Sequence, residues 1–218
     1  GLDGTANVVV ALPDNRSIIG GYFQTYNGTV VNGLVRTTSD GLLDATFLTS
    51  AIFSNYVFAI AQQTDGRLLV GGDLRFGETQ YGNLMRLMPD GATDPSFISY
   101  PGADGPVTCM AMQPDGKILV GGYFSTYHGV SHKGIARLNV NGSLDATFNV
   151  GTGTNGGSGS VEAIQVQPNG RVLVGGDFTS YNGTAAGGIV RLTSSGAIDQ
   201  TFLVGTGGNG GIYNMVLQ

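Results

Sequence analysis

The sequence has no tryptophan, a single cysteine at Cys109, two histidines and two lysines among its 218 residues. One cysteine excludes an internal disulfide and any cysteine-based zinc cluster. Ten basic residues against 15 acidic ones, 11% charged in all, leave no clustered cationic surface of the kind that nucleic acid demands. The same sparse charge, beside 41% hydrophobic residues, is not the composition of a disordered chain. No apolar run approaches the roughly 18 residues that span a bilayer as a helix, so membrane insertion is not expected. The chain opens on Gly1-Leu2-Asp3 without a charged-then-apolar leader, and a signal peptide is expected to be absent or already removed. Glycine is what the sequence has in plenty, with 38 residues that lack the three-residue period of collagen. Together with seven prolines they disfavour long helices.

The glycines are ordered by a repeat. The pairs Gly20-Gly21, Gly71-Gly72, Gly121-Gly122 and Gly175-Gly176 each follow a β-branched or aliphatic run, at spacings of 51, 50 and 54 residues. Arg36, Arg86, Arg137 and Arg191 keep the same register, as do Asp44, Asp94, Asp145 and Asp199, and then Phe47, Phe97, Phe148 and Phe202. Each copy reads as four short strands. An apolar first strand ends at a turn of the Pro114-Asp115-Gly116 type. A second strand runs into Gly-Gly, a third carries the arginine, and a fourth begins near the aspartate. Four strands in about 50 residues match the blade of a β-propeller, so the expected fold is an all-β propeller of four-stranded antiparallel blades.

The expected repeats cover residues 6–56, 57–106, 107–160 and 161–211 of a single domain. Ile212 to Gln218 aligns with the first strand of a fifth copy. That extra strand suggests a longer propeller or array, with a four-blade ring and one displaced strand as the alternative. The copies differ in length after Gly-Gly and between repeats, which marks these connections as the loops of one face.

Lys117-Ile118-Leu119-Val120-Gly121-Gly122, Ala136-Arg137-Leu138-Asn139 and Gly142-Ser143-Leu144-Asp145-Ala146-Thr147-Phe148, preceded by Gln113-Pro114-Asp115-Gly116, resemble the delta-60 repeat of large bacterial exported proteins. Copy one departs from that pattern at Asp14-Asn15-Arg16, without the turn glycine, and copy two departs at Thr64. The resemblance implies a β-propeller in a secreted or surface protein, often beside adhesion-like modules. It implies no cofactor and no assigned activity.

Several residues are candidates for chemistry. The arginine and aspartate of each copy, eight residues apart across a turn, are expected as structural ion pairs: Arg36 with Asp44, Arg86 with Asp94, Arg137 with Asp145 and Arg191 with Asp199. The aromatic-x-glycine positions Tyr26, Phe76, Tyr127 and Tyr181 lie in the connection after the second strand. Each is read either as a plug between blades or as a platform for stacking a sugar. His128 and His132 occur only in copy three, beside Lys133, and lack a third metal ligand in the sequence, so they join the candidate ligand residues rather than a metal site. Asp73 and Asp177 follow Gly-Gly, and a paired-carboxylate enzyme is the weaker alternative to their capping loop amides. Arg75 and Glu78 also break the repeat. The expected function is therefore non-enzymatic: binding or adhesion to a surface glycan or protein, outside the cell or on its surface, with a purely structural spacer as the alternative.

Overall fold

A computed structural model describes residues 1–47, 56–76, 80–205 and 207–217. Every regular element among them is a β-strand. The chain forms two compact units, Gly1–Gly102 and Ala103–Gln218, and each holds two repeats.

In the first unit, Thr5–Ala11, Ser17–Tyr22 and Leu34–Thr37 form one three-stranded sheet, and Tyr56–Gln62, Leu68–Asp73 and Leu84–Leu87 form the other. The second unit repeats the plan with Val107–Met112, Ile118–Gly122 and Ile135–Leu138, and then Ser160–Val166, Val172–Asp177 and Ile189–Leu192. In each sheet the Gly-Gly strand lies in the middle and pairs antiparallel with both neighbours. Between the second and third strands of each sheet the chain makes a separate hairpin of two residues per strand, such as Thr126–Tyr127 with Val130–Ser131. The core of the first unit gathers Ile18, Leu34, Phe47, Val57, Ile60, Val70 and Leu87. That of the second gathers Leu119, Ile135, Phe148, Val161, Ile164, Val174 and Val190.

The turns explain the departures of copies one and two. Gly66, Gly116 and Gly170 hold positive φ in the turn after the first strand, and Asn15 takes their place with φ 66. Asparagine tolerates the left-handed region, so the missing glycine costs little. Thr64 replaces proline with the turn intact, closed by Gly66 N–H donating to the Gln63 carbonyl at 2.9 Å. In the small hairpins Asn27-Gly28, His128-Gly129 and Asn182-Gly183 all have both residues at positive φ, the geometry of a two-residue type I′ turn. His128 thus sits in a turn-asparagine position.

One element differs from expectation. No fourth strand forms in the described copies. The chain makes a single bridge after the turn, at Leu43, Thr93, Leu144 and Ile198, and then bends. The cause is the aspartate that follows: Asp145 Oδ1 accepts both the Thr147 amide at 3.0 Å and the Thr147 hydroxyl at 2.7 Å, and its carbonyl accepts Phe148 N–H. Such local side-chain bonds compete with the extended ladder, and here they end it after one residue.

The pairs Gly20-Gly21 and Gly121-Gly122 each meet two different neighbours. A β-bulge interrupts every first strand, between Ala6 and Val8, Val57 and Ala59, Val107 and Cys109, and Val161 and Ala163. The second glycine of the pair lies against that strand's own backbone. A Cβ on Gly122 would lie 3.0 Å from Pro106 C and from Val107 Cα. The first glycine receives the next repeat: a Cβ on Gly20 would meet Val57 Cγ1 at 2.5 Å, and one on Gly121 would meet Val161 Cγ1 at 2.7 Å. The bulged residue adds a bond across the same seam, Asn7 Nδ2 donating to the Val57 carbonyl at 3.0 Å and Thr108 Oγ1 to the Val161 carbonyl at 2.7 Å. One glycine admits the bulge and the other admits the neighbouring repeat.

Candidate functional site

The arginine, aspartate and phenylalanine of each repeat form one cluster at the foot of the third strand. Arg137 Nε donates to Asp145 Oδ2 at 2.7 Å, its Nη2 donates to Thr147 Oγ1 at 3.0 Å, and its guanidinium lies over the Phe148 ring, 4.7 Å from the centroid. Arg36, Arg86 and Arg191 repeat this arrangement with Asp44 and Phe47, Asp94 and Phe97, and Asp199 and Phe202. A second cation, from the turn before the second strand, reaches the same carboxylate: Arg16 at 2.9 Å, Arg67 at 3.1 Å, Lys117 at 2.9 Å and Arg171 at 2.9 Å. Sequence spacing missed these partners, although they recur in register as Arg16, Arg67, Lys117 and Arg171. In Arg36 and Arg137 the remaining nitrogen, Nη1, crosses to the next repeat. Arg36 donates to the Pro89 carbonyl and Arg137 to the Ser194 carbonyl, both at 2.5 Å.

This surrounding holds the carboxylates well below the usual range. For Asp44 and Asp199 the largest cause is the hydroxyl of Thr46 or Thr201, followed by amide and guanidinium contacts that outweigh burial. For Asp94 and Asp145 burial pushes upward, but is outweighed by the hydroxyl of Ser96 or Thr147 together with the cations. Asp94 and Asp199 fall to about 2. With both carboxylate oxygens engaged inside the repeat and the guanidinium of Arg36 and Arg137 reaching also to the next one, these groups cross-link the structure around them.

The aromatic-x-glycine positions are placed differently from a ligand platform. Tyr127 and Tyr181 have no exposed surface, and His132 is buried, so none of the three offers a face to a ligand. The reason is the hairpin, which turns the tyrosine inward against its own repeat. Tyr181 Oη donates to the Gly196 carbonyl at 3.0 Å, and Tyr26 Oη donates to the equivalent Gly41 carbonyl at 2.5 Å. In repeat three that carbonyl belongs to Gly142 and is instead bonded by His128 Nε2 at 3.2 Å, which leaves the Tyr127 hydroxyl without a partner among the described residues. Tyr26 and His128 are half-exposed. Phe76 is described only in its backbone, which pairs with Gln80, and Glu78 lies outside the described residues. Two hydroxyl deletions separate these roles. Tyr127→Phe is expected to leave the melting temperature unchanged or raise it. Tyr181→Phe is expected to cost about 1 kcal/mol, because only the second removes a made bond.

His132 fills the place that Val31 and Ala186 hold in repeats one and four. Desolvation lowers its pKa. Where the smaller residues stand, clefts of about 340 and 370 Å³ open beside the third strand, lined by Val31, Arg36 and Phe47 in repeat one and by Ala186, Arg191 and Phe202 in repeat four. Among the described residues no group of three metal-ligating side chains forms around either histidine. Burial likewise pushes the Cys109 thiol pKa up, and the residue packs against the core.

The loops after the second strand are held by carboxylates in two ways. Asp3 Oδ1 accepts the amides of Gln24 and Thr25, and Asp104 Oδ1 those of Ser125 and Thr126, all within 2.7–2.9 Å. In repeat four the direction reverses: Asp177, on the second strand, accepts Ser158 N–H at 2.9 Å from the preceding connection. That connection is glycine-rich because it packs closely. Gly151, Gly153, Gly156 and Gly157 all have positive φ and lie against Asn182, Lys133, Thr179 and Asp177.

Where Asp177 stands in repeat four, repeats one and three carry Tyr22 and Tyr123, and both are exposed, as is Tyr56 (49%, 59% and 41%). Tyr22 stacks on Tyr56 with ring centroids 4.5 Å apart, and Tyr56 stacks on Phe58. Tyr123 stands at a polar cleft of about 240 Å³ with Ser125, Lys133 and Ser158, where Lys133 Nζ donates to Asn155 Oδ1 at 2.8 Å. None of these tyrosines is among the expected ligand residues, although the position of Tyr22 and Tyr123 just after Gly-Gly, at the loop end of the sheet, marks those two.

The repeat with its buried arginine–aspartate cluster is that of a β-propeller. The chain belongs to the family described as domain of unknown function (DUF5122) beta-propeller, which matches residues 12–47, 63–97, 113–148 and 167–202. No protein of curated description matches it. Among solved structures it is similar to the WD40 β-propeller domain of Doa1, at 16% identity and a TM-score of 0.55, over 87% of this chain and 50% of that one. It is also similar to PorZ, a surface component of the type-IX secretion system of Porphyromonas gingivalis, at 18% identity and a TM-score of 0.48, over 88% of this chain and 26% of that one. A third is a protein of unknown function from Bacteroides caccae, at 15% identity and a TM-score of 0.48, over 87% and 64%. The chain thus spans half the length of the first and less than two thirds of the others.

Proposed function

We propose that the chain is a non-enzymatic binding module of an exported, surface-displayed bacterial protein, which contacts a glycan through the loop end of its sheets. The observation that supports this most is the exposure of Tyr22, Tyr56 and Tyr123 at that end, in a protein that buries Tyr127 and Tyr181 completely. An aromatic face with a polar tip suits a sugar ring. The Tyr123 cleft adds a cation and hydroxyls, at a size below that of a drug-sized pocket, which fits one ring. The sequence resemblance to the delta-60 repeat of exported proteins supports the location. The engagement of Asp177 with the Ser158 amide supports a structural rather than a catalytic role for that carboxylate.

A glycan array probed with the labelled chain tests this reading. Tyr123→Ala, and Tyr22→Ala combined with Tyr56→Ala, are each expected to weaken a hit about tenfold, or ~1.4 kcal/mol, while leaving the melting temperature in place. Binding that is indifferent to all three tyrosines, or an array without hits, would instead support a rigid spacer. For that reading the carbonyl bonds of Arg36 and Arg137 between repeats are the favouring observation.

A further inference from the structure

The seam between repeats one and two and the seam between repeats three and four are built alike, and their parts reappear at the far side of repeat four. Two parts recur in both seams. An aliphatic pair from the next first strand sits over the first glycine: Val57 and Ile60 over Gly20, Val161 and Ile164 over Gly121. The arginine Nη1 donates to a turn carbonyl of the next repeat, Pro89 or Ser194. In the second unit the residue after phenylalanine joins them, Asn149 N–H donating to the Ser195 carbonyl at 2.8 Å.

At repeat four the first part is present and the others are open. Ile212 and Met215 lie over Gly175, where a Cβ would meet Ile212 Cγ2 at 2.9 Å and Met215 Cε at 3.3 Å. Gln165 Nε2 fastens the segment by donating to the Met215 carbonyl at 2.9 Å. Residues 212–217 nevertheless pair with no second strand among the described residues. Arg191 keeps its bonds to Asp199 and Thr201, but its Nη1 meets no described acceptor, and its side chain is 17% exposed against 7% for Arg137. Phe202 is half-exposed where Phe148 is buried, and Leu203, Tyr213 and Val216 are exposed.

We infer that this face is a docking surface for one further repeat of the same type, with Ile212–Leu217 as its inner strand. The occupant follows from the matching parts. It must supply a Gly-Gly strand to pair with residues 212–217, and a turn carbonyl for Arg191 Nη1 at the place of Ser194. A second copy docking through its own first repeat is a poorer fit, because its Thr5–Ala11 strand would have to take the place Ile212 and Met215 already fill.

The test extends the full chain. Gln218 aligns with Gln167 in sequence, so appending the chain's own Pro168–Gly205 after it continues the register. A second extension, Pro114–Gly151, guards against one sequence folding poorly. Backbone hydrogen exchange is measured in both and in the unextended chain, together with sedimentation over a concentration series. The expected result is that the amides of residues 212–217 exchange about 100-fold more slowly in an extended chain, as local opening becomes coupled to repeat packing. Arg191→Ala should then lower the melting temperature more in the extended chain than in the unextended one. Amides that stay fast in both extended chains, whether or not the appended residues are protected, would overturn the inference. Self-association of the unextended chain that Ile212→Asp abolishes would also overturn it, by making a second copy the occupant.

Discussion

Asp145→Ala is expected to lower the stability of the second unit by about 3–5 kcal/mol, the cost of leaving a buried charge without its partner. The carboxylate holds Arg137, Lys117 and Thr147 together, and the side chain of Arg137 is itself buried. At roughly 2–4 °C per kcal/mol for a chain of this size, the melting temperature should fall by at least about 6 °C, measured by calorimetry. Asp145→Asn keeps an acceptor for the Thr147 amide but not the charge, and should fall between. Lys117→Met should cost under about 1 kcal/mol, because that cation is partly exposed and screened. An Asp145→Ala protein that melts like the parent would mean that the cluster is incidental to the fold.

The same carboxylates set the response to acid. Asp44, Asp94, Asp145 and Asp199 all have folded-state pKa values below the ordinary one, with Asp94 and Asp199 at about 2. A depressed pKa contributes stability that is complete above the unfolded value near 4 and is lost as pH falls through the folded value. The melting temperature should therefore drop steeply between about pH 4 and pH 2. His132 adds a shallower decline that begins near pH 6.5, since burial favours its neutral form and protonation favours the unfolded chain. Asp145→Asn should flatten the steep limb and His132→Val the shallow one.

The repeat made the fold legible, because residues that recur four times in register are those each copy needs. The turn glycines and the arginine–aspartate spacing could be read for that reason. The fourth strand was misjudged because Leu144-Asp145-Ala146-Thr147-Phe148 looks extended in sequence, while the Asp145 carboxylate captures the Thr147 amide and turns the chain. The site was less legible. Tyr127 and Tyr123 are four residues apart and chemically identical, yet one is buried and the other exposed. What separates them is the inward turn of a two-residue hairpin against the open end of a sheet, and neither leaves a mark on composition or spacing. His128 attracted notice by breaking the repeat, but it fills a turn position with positive φ that asparagine fills in copies one and four. Tyr22 and Tyr123 stand where Asp177 stands in repeat four, and the structure shows Asp3 and Asp104 holding the loops beside those tyrosines from the other side.

Gly122→Ala should be among the most damaging single-methyl additions to the chain, and more damaging than Gly121→Ala beside it. Neither glycine has positive φ, so the difference is steric. A methyl at 122 would meet backbone, with Pro106 C and Val107 Cα at 3.0 Å and the Pro106 carbonyl oxygen nearer still. The only relief is to displace the bulge that gives the first strand its register. A methyl at 121 would meet the ends of side chains, Cys109 Sγ and Val161 Cγ1 at 2.7 Å and Ile164 Cδ1 at 3.0 Å, which can shift. Overpacking of this kind costs about 1–3 kcal/mol, and alanine's smaller unfolded-state entropy returns roughly 0.4–1 kcal/mol at either site. Gly122→Ala is therefore expected near the upper end of the net range, about 2.5 kcal/mol, and Gly121→Ala at about 1 kcal/mol. Truncation distinguishes the two mechanisms. Val161→Ala should recover part of the melting temperature lost in Gly121→Ala, because it removes the methyl in the way. No side-chain truncation should rescue Gly122→Ala, because a carbonyl cannot be shortened. If Val161→Ala rescued neither variant, the first glycine would not be the socket of the neighbouring repeat, and the seam shared by Gly20, Gly121 and Gly175 would lose its physical basis.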